Sequence, residues 1–300
     1  MNGTNPMAMT RSAAYAIPRT VGNHRARAVT NTIMTGLCAA AVVVALAPLF
    51  SVLWLVVSRG VHSLSLAFFT SLPKPVGEVG GGVGNAILGT LYMVGLASLL
   101  GLPLGIGAGI FLAERGDGKL GHAVRFTAEV LAGVPSIVVG VVAYGLIVIP
   151  MRHFSALAGA VALAILMIPT LARGTEEMIR LVPRSLREAS LALGVPAWKT
   201  SLSVVLRTAL GGLINAALLS IARAAGETAP LLFTALNNQY WNVQPLQPTA
   251  SLTVQIYNYA ISPYDDWHDK AWGAALCLLM LIGLLSLIAR VATSRRQVKA

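Results

Sequence analysis

The chain has 300 residues, of which 56% are hydrophobic and only 11% charged, and its formal net charge is +11. Soluble domains carry about 25% charged residues, so the composition excludes an ordinary soluble protein and leaves a chain whose bilayer spans must be counted. The two cysteines, Cys38 and Cys277, lie inside apolar runs. They make neither a disulfide framework nor a CxxC metal pattern, and read as buried helix residues.

A bilayer core takes roughly 20 apolar residues per helix. Six runs fit in chain order: Ile33 to Val57, Ala86 to Ala113, Phe126 to Ile149, Ser155 to Leu171, Ala209 to Ala235 and Trp272 to Val291. Residues 1–32 are polar and read as a leader, most of it disordered. The first run is too long for the roughly 7–15-residue apolar segment of a signal peptide, so it reads as a retained span. The intervening 58–84 form an outer loop. Within it His62 to Leu72 reads as an interfacial helix, and Gly80, Gly81, Gly82 and Gly84 as a flexible lead-in to the second span. Pro150 to Phe154 is a tight turn, making spans three and four a hairpin. Five spans thus fill 85–292, and 293–300 form a tail.

Seventeen of the 22 Lys and Arg residues fall in the leader, in the loops between spans two and three and between spans four and five, and in the tail. The positive-inside rule places those segments, and both termini, in the cytoplasm. The excess of positive charge therefore reads as topology, not as nucleic-acid binding. The opposite face carries Tyr240, Trp241, Tyr257, Tyr259, Tyr264 and Trp267, as expected at headgroup level.

The loop from Arg173 to Thr208 is too long for a plain connector. Pro183 ends the preceding helix. Ser185 and Glu188 have the S-x-x-E spacing of a capping box. Leu186 to Leu193 then makes a short helix, Gly194 suits its C-terminal cap and Pro196 opens the next helix. The spacing predicts helix, short helix, helix, with the short one exposed as a docking element or an ordinary amphipathic connector.

Arg223 and Glu227 lie four apart inside the fifth run, on one helix face. An arginine at membrane depth faces a bundle interior or a water path. It either pairs with Glu227 to pin packing, or offers its rigid fork of N–H donors to an oxyanion. Thr228 adds a hydroxyl beside the pair, and Pro230 can bend the helix.

Glu188-Ala189-Ser190, Gly194 and Val204-Val205-Leu206 resemble the EAA signature of bacterial ABC-importer permeases. Ser190, Val204 and Arg207 depart from its usual Ala, Ile and Pro. Further words resemble the A-type permease family of the phosphate-specific (Pst) ABC importers. They are Gly84-Asn85 to Gly89-Thr90, Gly133-Val134-Pro135-Ser136 to Gly140, Pro169-Thr170, Arg223 to Ala235, and Val254 to Tyr259. The resemblance covers roughly residues 81–290. It implies an all-α membrane protein of six transmembrane helices with the type I ABC importer permease fold. It further implies a subunit that moves inorganic phosphate across the inner or plasma membrane by alternating access.

Its implied partners are a C-type permease subunit, two ATPase subunits carrying ATP and magnesium, and an extracytoplasmic phosphate-binding protein. The chain itself would bind no cofactor. The candidate substrate path contains Arg223, Glu227, Thr228, Asn85, Thr90 and Ser136, although residues such as the last three more often make a local backbone or interhelical hydrogen bond. The implied ATPase contact contains Ser185, Glu188, Ala189, Gly194 and Pro196.

Gly101, Gly105 and Gly109 recur at four-residue spacing in an apolar span, where small residues let helices approach closely. Glu129, four residues after Arg125, reads as a local ion pair. No Walker A motif is present, because Gly118-Lys119 is followed by Leu120 and Ala113 occupies the first Gly position. No nucleophile or metal cluster supports a membrane enzyme. A secondary transporter remains a rival, and the EAA-like loop speaks against it. Among importers, another oxyanion such as sulfate or molybdate remains the alternative cargo.

Overall fold

The computed structural model describes residues 24–78 and 80–297, and every regular element among them is helical. The chain divides into two compact units, 1–53 and 54–300. The first contains most of α1 (His24–Gly60), whose residues 25–53 are all exposed. Cys38 is among them, so only Cys277 is buried as expected. Helix is present from His24, within the last part of the expected N-terminal leader. The remainder of that leader lies outside the described residues.

In the second unit, α2 (Leu66–Thr70) and α3 (Gly84–Arg115) come first. The expected interfacial helix is only a 3₁₀ turn, Val61–Ser63, followed by α2. The glycine-rich lead-in is packed, not loose. Gly82, Val83 and Gly84 donate backbone N–H groups to Leu72, Phe68 and Ser71, at 2.8–3.1 Å. A Cβ on Gly84 would lie 2.6 Å from the Trp241 ring, so glycine there permits close approach.

The third predicted span is not one helix. α4 (Lys119–Gly133) and α5 (Ser136–Ala143) meet at 103°. Proline causes the break: Pro135 lacks an N–H, and Val134 before it is extended at ψ 130°. A π-helical turn, Tyr144–Val148, leads into α6 (Ile149–Met151). The chain then turns through Arg152 at φ +60° into α7 (Ala156–Arg180), forming the expected hairpin. Ser155 caps α7 through its side chain. The backbone N–H groups of Ala156 and Leu157 donate to Gln247 and Pro245, so the helix start is satisfied by a distant loop.

α8 (Arg184–Ala192) and α9 (Ala197–Thr200) follow, then a π-helical turn, Ser201–Val205, and α10 (Leu206–Ala225). The fifth predicted span stops at Ala225 and resumes as α11 (Ala229–Thr234). α12 (Leu252–Ala260) and α13 (Asp265–Gln297) complete the chain. The expected tail is therefore helical through Gln297. Among the described residues, five helices are long and apolar enough to cross a membrane, or six if the bent α4–α5 pair is one span.

α7 is the central helix, with 67% of its apolar window buried. Ala156, Ala160, Ala164 and Ala172 keep its surface low, so neighbours approach closely. The glycine repeat of α3 lies on this seam as expected. A Cβ on Gly105 would sit 2.5 Å from Leu171 Cβ, and one on Gly109 would strike Thr175. Three apolar clusters follow along the unit. A middle one includes Met93, Leu163 and Leu231. One at the aromatic end includes Phe68, Leu252 and Tyr259. One at the arginine-rich end includes Ile179, Val205 and Leu213.

Candidate functional site: a broken helix and an arginine-rich end

The break after α10 exposes chemistry that a continuous helix would hide. Gly226, Glu227 and Thr228 interrupt the ladder, and the N–H groups of Gly226 and Glu227 turn back to Arg223 and Ala224 carbonyls. Arg223 occupies the last turn of α10, where the helix dipole favours a cation. Its Nε lies 3.8 Å from Glu227 Oε1. The arginine side chain is 50% exposed and the carboxylate 16%. The pair is thus an ion pair without a short hydrogen bond, and the guanidinium retains N–H donors on its open side. The neighbouring Thr228 starts α11, and its carbonyl accepts from Leu231 and Leu232.

Tertiary contacts hold this break in place. Thr253 Oγ1 of α12 donates to the Glu227 carbonyl at 2.9 Å. A Cβ on Gly140 of α5 would lie 2.6 Å from Pro230 Cα, so α5 and α11 touch backbone to backbone. Ser136 stands half-buried at the first turn of that same α5.

Asn85 and Thr90 sit elsewhere, among the aromatic-end loops. Asn85 Nδ2 donates to the Asn238 carbonyl at 2.6 Å, while its Oδ1 is buried without a partner. Thr90 Oγ1 donates to Ala86 and accepts from Leu252 N–H, both at 2.8 Å. The first turn of α12 therefore joins the two regions, Leu252 holding Thr90 and Thr253 holding Glu227.

At the arginine-rich end, α8 stands as the expected short helix. It begins one residue before Ser185, and no side chain caps it, so the S-x-x-E box does not form. Pro183 takes the cap position and displaces Ser185 into the first turn. The C-terminal expectation is met. Gly194 has φ +77°, its N–H donates to Leu191 and that of Val195 to Ser190, a Schellman closure. Pro196 directly precedes α9.

Glu188 and Ala189 are exposed, and Glu188 lines an open cleft of about 480 Å³ with Arg180, Arg184, Arg187 and Asp117. Leu186, Leu193 and Trp198 are also exposed. Ser190, the departure from the usual Ala, is buried and its hydroxyl lies 2.9 Å from that of Thr200. Ser190 thus ties α8 to α9.

Two carboxylates had no role assigned to them from the sequence. Glu176, 4% exposed, binds Arg125 at 2.7 Å and Arg180 at 2.9 Å. Glu114 binds Arg187 of α8 at 2.5 Å and accepts from Ser201 at 3.0 Å. The expected Arg125–Glu129 pair does not form. Arg125 goes to Glu176, and Glu129 binds Arg173 at 2.7 Å. Both residues pair across to α7 instead. The available signal was carboxylates at the ends of apolar runs in a chain rich in arginine.

Helices long and apolar enough to cross a membrane, one run broken at a charged pair, fit a membrane permease. Residues 105–297 match the family described as binding-protein-dependent transport system inner membrane component. The chain is 43% identical over 256 residues to a phosphate transport system permease protein PstA from Yersinia pestis, covering 83% of this chain and 87% of that one. It is 39% identical over 283 residues to PstA 1 from Mycobacterium tuberculosis, covering 90% and 91%. The fold resembles the MetNI methionine ABC transporter solved in inward-facing conformations. The TM-score is 0.61 at 21% identity, with 71% of this chain and 95% of that one covered. The chain belongs to the binding-protein-dependent inner-membrane permeases and, among them, to the PstA family.

Proposed function

We propose that this chain is the A-type permease subunit through which an ABC importer moves inorganic phosphate inward by alternating access. The similarity to phosphate transport permeases supports the cargo. The carrying observation is Arg223, half-exposed at the break between α10 and α11 and tethered on one side by Glu227. A planar cation with free donors suits a tetrahedral oxyanion, and Glu227 keeps the empty site near neutrality. Thr228 and Ser136 supply hydroxyls to the path. Thr90 shapes its outer end through α12, and Asn85 through the Asn238 carbonyl.

One guanidinium does not neutralise a dianion, so a C-type permease partner supplies further donors. ATP and magnesium reside on two ATPase subunits, which receive Leu186, Leu193 and Trp198 around the α8 surface formed by Ser185, Glu188, Ala189, Gly194 and Pro196. A phosphate-binding protein delivers cargo to the aromatic end. The arginine-rich end and both termini face the cytoplasm, as the positive-inside rule requires.

The test is labelled-phosphate uptake by vesicles holding the assembled subunits, with and without ATP, chased by excess sulfate. ATP-dependent uptake that sulfate leaves intact is expected. Arg223→Gln should abolish it while the subunits still co-purify. Uptake surviving that change removes Arg223 from the path.

A further inference from the structure

α8 is nearly all surface, since Ser190 is its one buried residue. What fastens it to the membrane helices therefore decides where its movement goes. Its chain neighbours are α7 and α9, but its strongest side-chain hold is on neither. Arg187 Nη1 reaches Glu114 Oε1 in the last turn of α3 at 2.5 Å. The other carboxylate oxygen, Oε2, accepts from Ser201 Oγ at 3.0 Å, just beyond α9. One half-buried carboxylate thus gathers α8 and the root of α10 onto α3, which is adjacent to neither in the chain. Arg187 uses one carboxylate oxygen and Ser201 the other, so a single side chain is shared between α8 and the root of α10.

Beyond Glu114 the route runs along α3, which carries Pro103 inside the helix. α3 has 32 residues, about 48 Å at 1.5 Å per residue. Gly105 and Gly109 press it onto α7 without slack. Near its other end Thr90 holds the Leu252 N–H, and the adjacent Thr253 holds the Glu227 carbonyl. We propose that Glu114 is the linkage that carries movement of α8 into α3, and through Thr90 and α12 to the Arg223–Glu227 break. Glu114 is a positioning residue and touches no cargo. The inference rests on the reading of α8 as the ATPase contact.

The experiment uses the assembled transporter in vesicles and reads three quantities: subunit co-purification, ATP turnover, and phosphate imported per ATP hydrolysed. Glu114→Ala should leave assembly and ATP turnover in place and lower phosphate per ATP by about two- to thirtyfold, the range of mutations that alter coupling between distant sites. Arg187→Glu should do the same. Glu114→Arg combined with Arg187→Glu should restore the ratio, and assembly and ATP turnover that stay constant across the variants exclude a merely weakened fold. If Glu114→Ala does not assemble, the charge-swapped pair carries the test alone.

An unchanged ratio in Glu114→Ala overturns the linkage, as does a swapped pair that assembles but stays uncoupled. Leu193→Asp separates the underlying reading. If that variant still retains the ATPase, α8 is not the contact and the linkage falls with it. If it sheds the ATPase while Glu114→Ala couples normally, only the linkage is lost.

Discussion

The seam between α3 and α7 can be tested with one substitution placed at two positions of one helix. An alanine at Gly105 would bring its Cβ to 2.5 Å from Leu171 Cβ, 3.1 Å from Leu171 Cδ1 and 3.2 Å from the Ile168 carbonyl. Carbon atoms pack best at about 3.5–4.0 Å, so the helices must separate by about 1–1.5 Å. Overpacking of this size costs about 1–3 kcal/mol. Alanine also favours helix over glycine by about 0.8–1 kcal/mol, which offsets part of that cost. Gly107 supplies the control, because a Cβ there meets nothing within 4 Å.

The helix propensity gain is the same at both sites, so it cancels in the comparison. Gly105→Ala should be less stable than Gly107→Ala by about 1–3 kcal/mol. Denaturant or thermal unfolding of this subunit alone in micelles, followed by a probe of helix content, measures the difference. Equal stability of the two variants would refute the close-packed seam, and with it the tight α3–α7 contact on which the Glu114 route relies.

Further expectations follow from single contacts. Thr90→Val strands the buried Leu252 N–H and should cost about 1–3 kcal/mol in the same unfolding assay, whereas Thr90→Ser should cost much less. Glu176→Ala removes the shared partner of Arg125 and Arg180. It should speed amide exchange in α4, and unchanged exchange there would deny Glu176 that role. Ser190→Ala deletes one buried hydroxyl pair and should lower stability by about 0.5–1.5 kcal/mol, less if Thr200 finds another acceptor. Gly194→Ala forces a Cβ into the left-handed region at φ +77° and should fray the end of α8, reducing ATPase retention more than Gly118→Ala, where a Cβ meets nothing.

Much was written in the linear order of residues. Apolar runs of bilayer length mark the membrane helices, because lipid forces the backbone to satisfy itself within each segment. Gly194 marks the end of α8, because a left-handed closure excludes most side chains. The four-residue spacing of Gly101, Gly105 and Gly109 announces a close helix contact before its partner is known. Arg223 and Glu227 announce themselves by their cost at membrane depth. Each of these rests on local geometry, which one segment carries in full.

What the tertiary structure decided lies between segments. Pro135 could have kinked a span or broken it, and packing of α5 against α11 accompanies a 103° turn. Ser185 and Glu188 had the spacing of a capping box, yet Pro183 took the cap position. Arg125 had a suitable carboxylate four residues away and chose Glu176 on another helix. Thr90 meets Leu252 across 162 positions, and Arg187 meets Glu114 across 73. No periodicity encodes such pairings. A side chain's partner is fixed only when two helices settle into register, and burial then makes any unpaired polar group costly enough to select that arrangement.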